Sequence, residues 1–112
     1  MKRGEIWTVS GGADYAGKPR PAIIVQSDEF QATLSITVCP LTRTLVENVY
    51  ARFTVAPTAA NGLQQISAAM VDKILTIPKA KVGRRVGRLD PDDIARLNRH
   101  IALFLGLAAR PE

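Results

Sequence analysis

The chain has 112 residues, 46% of them hydrophobic and 22% charged. That length and balance describe one globular domain with enough apolar material for a single core, and they exclude both disorder and a disulfide-stapled scaffold. Fifteen Lys and Arg against ten Asp and Glu leave a net charge of +5, which points to a polyanionic or acidic partner.

One cysteine, Cys39, and one histidine, His100, cannot build an intramolecular disulfide or a zinc site of Cys and His ligands. The opening Met1-Lys2-Arg3-Gly4-Glu5-Ile6-Trp7 meets an acid before an apolar run can accumulate, so no signal peptide is expected. The apolar stretch Ile101 to Ala109 is too short to cross a bilayer. A cytoplasmic protein is the expectation.

Glu5 to Val9 alternates and stops at Ser10-Gly11-Gly12, which predicts a strand opening into a loop that runs to Pro19. Ala22-Ile23-Ile24-Val25 reads as a buried strand with Pro21 at its entrance, where a missing N–H does least harm. A third strand carries Leu34, Ile36, Val38 and Leu41, with the small Thr37 and Cys39 on its other face and Pro40 limiting its pairing. After a polar loop from Arg43 to Asn48, Tyr50, Arg52 and Thr54 alternate with Ala51, Phe53 and Val55 in a strand whose outward face is polar.

A loop from Ala56 to Asn61-Gly62 precedes Ala68 to Ile77, which is apolar except for Asp72-Lys73 and is predicted to be the longest strand. From Lys73 to Arg88 there are six cations and no acid, and two glycines in this stretch favour a turn and a short strand over a helix. The last element has every sign of a helix. Asp90 is placed to be its N-cap and Pro91 its first residue, and Ile94, Leu97, Ile101, Phe104 and Leu105 form one apolar stripe before Gly106. The predicted fold class is mainly β with one C-terminal helix, a small SH3-like barrel of about five or six strands. A single domain spans residues 1–112, the barrel over about 4–89 and the helix over about 91–105.

In this order and spacing, several short motifs resemble the MazF/PemK toxin endoribonucleases of bacterial type II toxin–antitoxin systems. They are Lys2-Arg3-Gly4-Glu5-Ile6-Trp7, Gly17-Lys18-Pro19-Arg20-Pro21, Pro40-Leu41-Thr42, Asp72-Lys73-Ile74 before Leu75-Thr76-Ile77, and Gly87-Arg88-Leu89 leading into the helix. The resemblance spans almost the whole chain and implies the CcdB/MazF-like toxin fold. It implies a homodimer that cuts single-stranded RNA at a short preferred sequence without a metal or other cofactor, leaving 2′,3′-cyclic phosphate and 5′-hydroxyl ends. It also implies a cognate antitoxin whose acidic disordered segment covers the RNA groove.

Such cleavage needs donors for the negative charge that develops on phosphorus, a group to take the 2′ proton and a group to protonate the leaving 5′ oxygen. Arg20 has a planar fork able to hold two phosphate oxygens, set between prolines at a strand entrance, and it coincides with the family's catalytic Arg. Thr42 follows the Pro-Leu pair where the family has its catalytic Thr, and its hydroxyl can donate to phosphate or orient the nucleophile. Proton transfer is left open. The family's usual Glu, five residues before the Arg, is Tyr15 here, so Asp14 and Tyr15 are both candidates. Tyr15 could instead stack on a base, and Asp14 could form an Asx-turn.

Lys18, Lys73, Lys79, Arg84 and Arg85 are candidates for a phosphate track. Ser67, Asp72 and Lys73 match places where family members contact substrate, with Lys73 replacing a commoner Gln. His100 reads as a helix-surface histidine and Cys39 as core filler, neither of them catalytic. Two other functions compete: a basic barrel that binds nucleic acid without chemistry, and a gyrase poison of the same fold. The second lacks the tryptophan that such poisons carry at the helix tip, since Trp7 is the sole one here.

Overall fold

The structure, a computed structural model, describes residues 1–10, 18–45 and 50–109. Seven strands run in chain order: β1 (Glu5–Val9), β2 (Arg20–Ile24), β3 (Ser35–Thr42), β4 (Arg52–Val55), β5 (Ser67–Met70), β6 (Leu75–Pro78) and β7 (Val82–Arg88). A single helix, α1 (Pro91–Phe104), follows them. All pairings are antiparallel, in the order β4-β5-β3-β2-β1-β7, with β6 also on β3. The sheet is open and barrel-like.

β3 organises the sheet. One of its edges pairs with β2, and the other pairs first with β6 along Ser35 to Val38 and then with β5 at Leu41 and Thr42. Between these two partners the chain makes a 3-10 turn over Val71–Lys73. The predicted continuous strand from Ala68 to Ile77 is therefore corrected to two strands. Leu41 faces Ala69 while Val38, three residues back, faces Leu75, six residues on, so the partner chain holds three extra residues. Those three are the turn, and they fall at the Asp72-Lys73 interruption. Val71 is buried, while Asp72 and Lys73 project outward. Pro40 lies within the β2 ladder, opposite Ala22, and does not end it.

Alternation along the central strands divides the apolar residues between two clusters. Ile6, Ile23, Cys39, Leu41, Phe53, Val55 and Leu97 belong to one, and Val9, Ala22, Ile24, Ile36 and Val38 to the other. Leu34 departs from expectation. It precedes β3 and is 91% exposed, so it adds nothing to either core.

α1 covers the first cluster. The Asp90 side chain accepts from the backbone N–H of Asp93 at 2.9 Å, and Pro91 stands in the first turn, as the capping pattern predicts. Leu97 is wholly buried, and Ile94 and Ile101 flank it. His100 is not merely a surface residue. Its ring stacks on Phe53 at 5.0 Å, and its Nδ1 donates to the Tyr50 carbonyl at 2.9 Å, while Arg96 lies over the same Phe53 ring.

β7 is longer than the sequence suggests, seven residues in place of a turn and a short strand. Its glycines serve close approach. A Cβ on Gly87 would lie 2.3 Å from the Asn61 carbonyl oxygen and 2.5 Å from that of Ala60. Arg88 N–H donates to Ala60 at 2.9 Å, so the loop before β5 lies along the free edge of β7. Asn61, 1% exposed, holds that loop in shape: its Oδ1 accepts from the N–H groups of Thr58 and Leu63 at 3.0 Å, and its Nδ2 donates to Ala56 at 2.8 Å.

Gly87→Ala should therefore destabilise the fold by about 2–3 kcal/mol, the range of overpacking against backbone that cannot yield. Gly106→Ala, at φ +76° but in open space, should cost about 1 kcal/mol. Urea unfolding of both variants checks the difference.

Candidate functional site: a cationic groove

At one end of the sheet, strand entrances, strand exits and the loop before β5 enclose an open groove of about 400 Å³. Lys18, Arg20, Arg43 and Arg84 line it, and no carboxylate does so among the described residues. None of the four is in an ion pair among the described residues, whereas Arg52, Arg85 and Arg96 each hold a carboxylate. Like charges gathered without counter-charges raise the local positive potential and favour a polyanion.

The four cations reach the groove from three places in the chain: the entrance of β2, the exit of β3 and the irregular stretch of β7. Arg20 opens β2 directly after the Lys18-Pro19 segment. Arg84 is turned inward by irregular pairing. Ile6 faces Gly87, Trp7 faces Arg85 and Val9 faces Val82, so β7 carries two extra residues against β1. Arg84 N–H then donates to Thr8 Oγ1 at 3.0 Å, and Gly83 leaves room for that hydroxyl. Ser67, Gln64 and Gln65 form part of the remaining wall, with Ser67 Oγ donating to the Gln65 carbonyl at 3.1 Å.

The β2–β3 ladder runs as far as the pair of Ala22 and Pro40. Arg20 and Thr42 each lie two residues past that pair, at the adjoining ends of β2 and β3, where Arg20 pairs with Val9 of β1 and Thr42 with Ala68 of β5. Thr42 does not itself line the groove, but its neighbours Leu41 and Arg43 do. The Thr42 Oγ1 accepts from Thr44 N–H at 3.2 Å. With that lone pair occupied, the hydroxyl proton is left to donate.

Of the residues singled out in the sequence, the groove gathers Lys18, Arg20, Ser67 and Arg84, with Thr42 beside them. Four others lie elsewhere. Asp72 receives Arg52 in a two-pronged contact of 3.0 and 3.1 Å, and Lys73 shares its turn beneath α1. Lys79 Nζ donates to the Gln31 carbonyl at 2.6 Å, and Arg85 Nε donates to Glu5 at 3.2 Å. Asp14 and Tyr15 lie outside the described residues. Arg43 is the groove residue that sequence reading missed. Its position directly after Thr42 was the available signal, masked by its reading as the first residue of a polar loop.

The titrating groups outside the groove are structural. Hydrogen bonds from Arg52 hold the Asp72 carboxyl below its ordinary range, outweighing the opposing effect of burial. Burial would raise the Glu5 carboxyl, but donors from Lys2 N–H, the Trp7 indole and Arg85 hold it down. Burial, with the charge of Asp72 adding to it, pushes the Cys39 thiol up to about 12, which removes it as a nucleophile at neutral pH. No cluster of three His, Cys, Asp or Glu side chains among the described residues could hold a metal ion. No helix among them is long and apolar enough to cross a membrane.

An antiparallel, barrel-like sheet with one terminal helix thus carries at its end a cationic groove with no carboxylate among the described residues, a feature suited to an anionic partner. The family comparison makes the assignment specific. Residues 2–105 match the PemK-like, MazF-like toxins of type II toxin–antitoxin systems, and the chain belongs to that family. It is similar to a probable endoribonuclease MazF of Mycolicibacterium smegmatis, at 43% identity over 96% of this chain and 99% of the relative. It is also similar to endoribonuclease MazF9 of Mycobacterium tuberculosis, at 31% identity over 96% of this chain and 98% of the relative. Among solved structures, the Mycobacterium tuberculosis toxin MazF-mt6 superposes with a TM-score of 0.78 at 28% identity, covering 94% of this chain and 99% of that one.

Because the folded-state acidity of Asp72 is increased, its contribution to stability is present above the unfolded carboxyl pKa of about 4 and is lost as pH falls through the lower folded value. The stability gap between the wild type and Asp72→Asn should therefore be constant at neutral pH and shrink below about pH 4. Denaturant titrations across that range check it.

Proposed function

We propose that this toxin is an endoribonuclease that binds single-stranded RNA in the cationic groove and cuts it between Arg20 and Thr42. The observation that supports this reading is the gathering of Arg20 with Lys18, Arg43 and Arg84 in a groove with no carboxylate among the described residues, at the end of β2 that adjoins the Thr42 end of β3. The ribose 2′ oxygen attacks the adjacent phosphorus, the bond to the 5′ oxygen breaks, and the products are a 2′,3′-cyclic phosphate and a 5′-hydroxyl. Arg20 donates two N–H groups to the non-bridging oxygens as their charge grows, and Thr42 donates its O–H to the same phosphate. The 2′ proton passes to a base and a proton is delivered to the leaving oxygen. Asp14 and Tyr15 are the candidates for these transfers.

Lys18, Ser67 and Arg84 hold the strand beside the cut. The reaction as written uses no metal, since two donors with fixed positions supply the charge stabilisation. Membership in a toxin–antitoxin family supports a cognate antitoxin, and the charge of the groove suits an acidic, disordered segment that occupies it. Residues 1–112 act as one domain, a homodimer working in the cytoplasm.

Incubation of the protein with a long single-stranded RNA in EDTA, followed by mapping of the ends, tests the reading. Cuts at a recurrent short sequence with cyclic phosphate ends are expected, and a substrate with 2′-deoxyribose at the cut site should remain whole. Arg20→Ala and Thr42→Val should each lower kcat by about 100-fold or more, the scale of losing one pre-aimed donor, with weak RNA binding retained. Intact RNA across varied sequences would overturn the proposal, and dependence on added magnesium would overturn the metal-free chemistry.

A further inference from the structure

We propose that Arg43 is a phosphate-binding residue of the RNA site, gripping the phosphodiester next to the one held by Arg20, an assignment that rests on the ribonuclease reading above. It follows Thr42 directly and lines the same groove. The chain turns at this point because Thr44 N–H bonds back to the Thr42 hydroxyl. Arg43 is thereby fixed at the exit of β3 rather than continuing along the strand.

Among the described residues nothing neutralises that charge. Arg43 is exposed and forms no ion pair among the described residues, although three other arginines of the chain do. It shares the groove with Lys18, Arg20 and Arg84, so without an anion four positive charges face one another across about 400 Å³. Their sources are distinct: the entrance of β2, the exit of β3 and the irregular stretch of β7. Cations distributed around a groove in this way match a polymer with a phosphate on every nucleotide better than a single small anion. Arg43 differs from Thr42 in task. Thr42 is the last residue of β3 and lies beside the groove, whereas Arg43 follows the strand and lines the groove itself. Its grip on a phosphate that does not react strengthens ground state and transition state alike.

The test uses a fluorescein-labelled, mixed-sequence oligonucleotide, single-stranded and fully 2′-O-methylated, so that the nucleophile is blocked and only binding is read. Anisotropy is followed against KCl concentration for the full-length protein. The wild type should show a linear fall of log affinity with log salt, and Arg43→Ala should reduce the steepness by about 0.7, the share of one phosphate contact on a single strand. Arg43→Gln should do the same while keeping most of the side chain's length, and Arg43→Lys should keep the wild-type slope. Arg99→Ala removes the same charge from an exposed position on α1 and should keep it too. On cleavable RNA, Arg43→Ala should raise KM several-fold with kcat within about twofold. An unaltered salt slope in both Arg43→Ala and Arg43→Gln would overturn the assignment while leaving the ribonuclease reading intact, as would an equal loss in Arg99→Ala. A wild type that does not bind the oligonucleotide would overturn both.

Discussion

The structure depends on the way β3 is held along both edges. On one side it is locked to β2 through Val38, Cys39 and Pro40, and on the other it is shared between β6 and β5. A strand with both edges occupied cannot slide without inverting its buried faces, which here separate Ile36 and Val38 from Cys39 and Leu41. The same lock bears on the candidate site, because it holds the end of β3, where Thr42 stands, beside the start of β2, where Arg20 stands.

The charges are arranged by a second, looser set of contacts. The loop before β5 rests on β7 through Gly62 and Gly87, and the two extra residues of β7 bring Arg84 to the groove. Cations with carboxylates in reach are neutralised elsewhere on the surface, while those of the groove are left unpaired among the described residues. The RNA strand and the acidic antitoxin segment proposed above would both meet these four side chains.

Local physical chemistry is legible wherever it is local in sequence. The helix was readable from Asp90, Pro91 and the spacing of Ile94, Leu97 and Ile101, and β4 from the alternation of Phe53 and Val55 with polar neighbours. Arg20 and Thr42 were reached through motif resemblance together with a chemical need for a forked donor and a hydroxyl. What stayed hidden depends on residues distant in sequence. Nothing between Ala68 and Ile77 states that two different stretches of β3 will take its two halves. The glycines of β7 read as turn formers because Thr8, Ala60 and Asn61, which require them, lie far away in the chain. Asp72 could accept from a base edge and Arg85 could hold a phosphate, but Arg52 and Glu5 claim them across the fold. Arg43 carried the same information as any surface arginine until the groove placed it.

The central claim is that positions 20 and 42 act on one phosphate, and a double-mutant cycle under single-turnover conditions tests it most directly. Cleavage rates are measured for Arg20→Lys, Thr42→Val and the pair combined, with enzyme in excess over RNA. Donors to the same developing charge are coupled, so the combined variant should be little slower than the worse single variant, a coupling of about 1–3 kcal/mol. Losses that multiply independently would show that the two side chains serve separate sites, and the proposed active centre would be wrong.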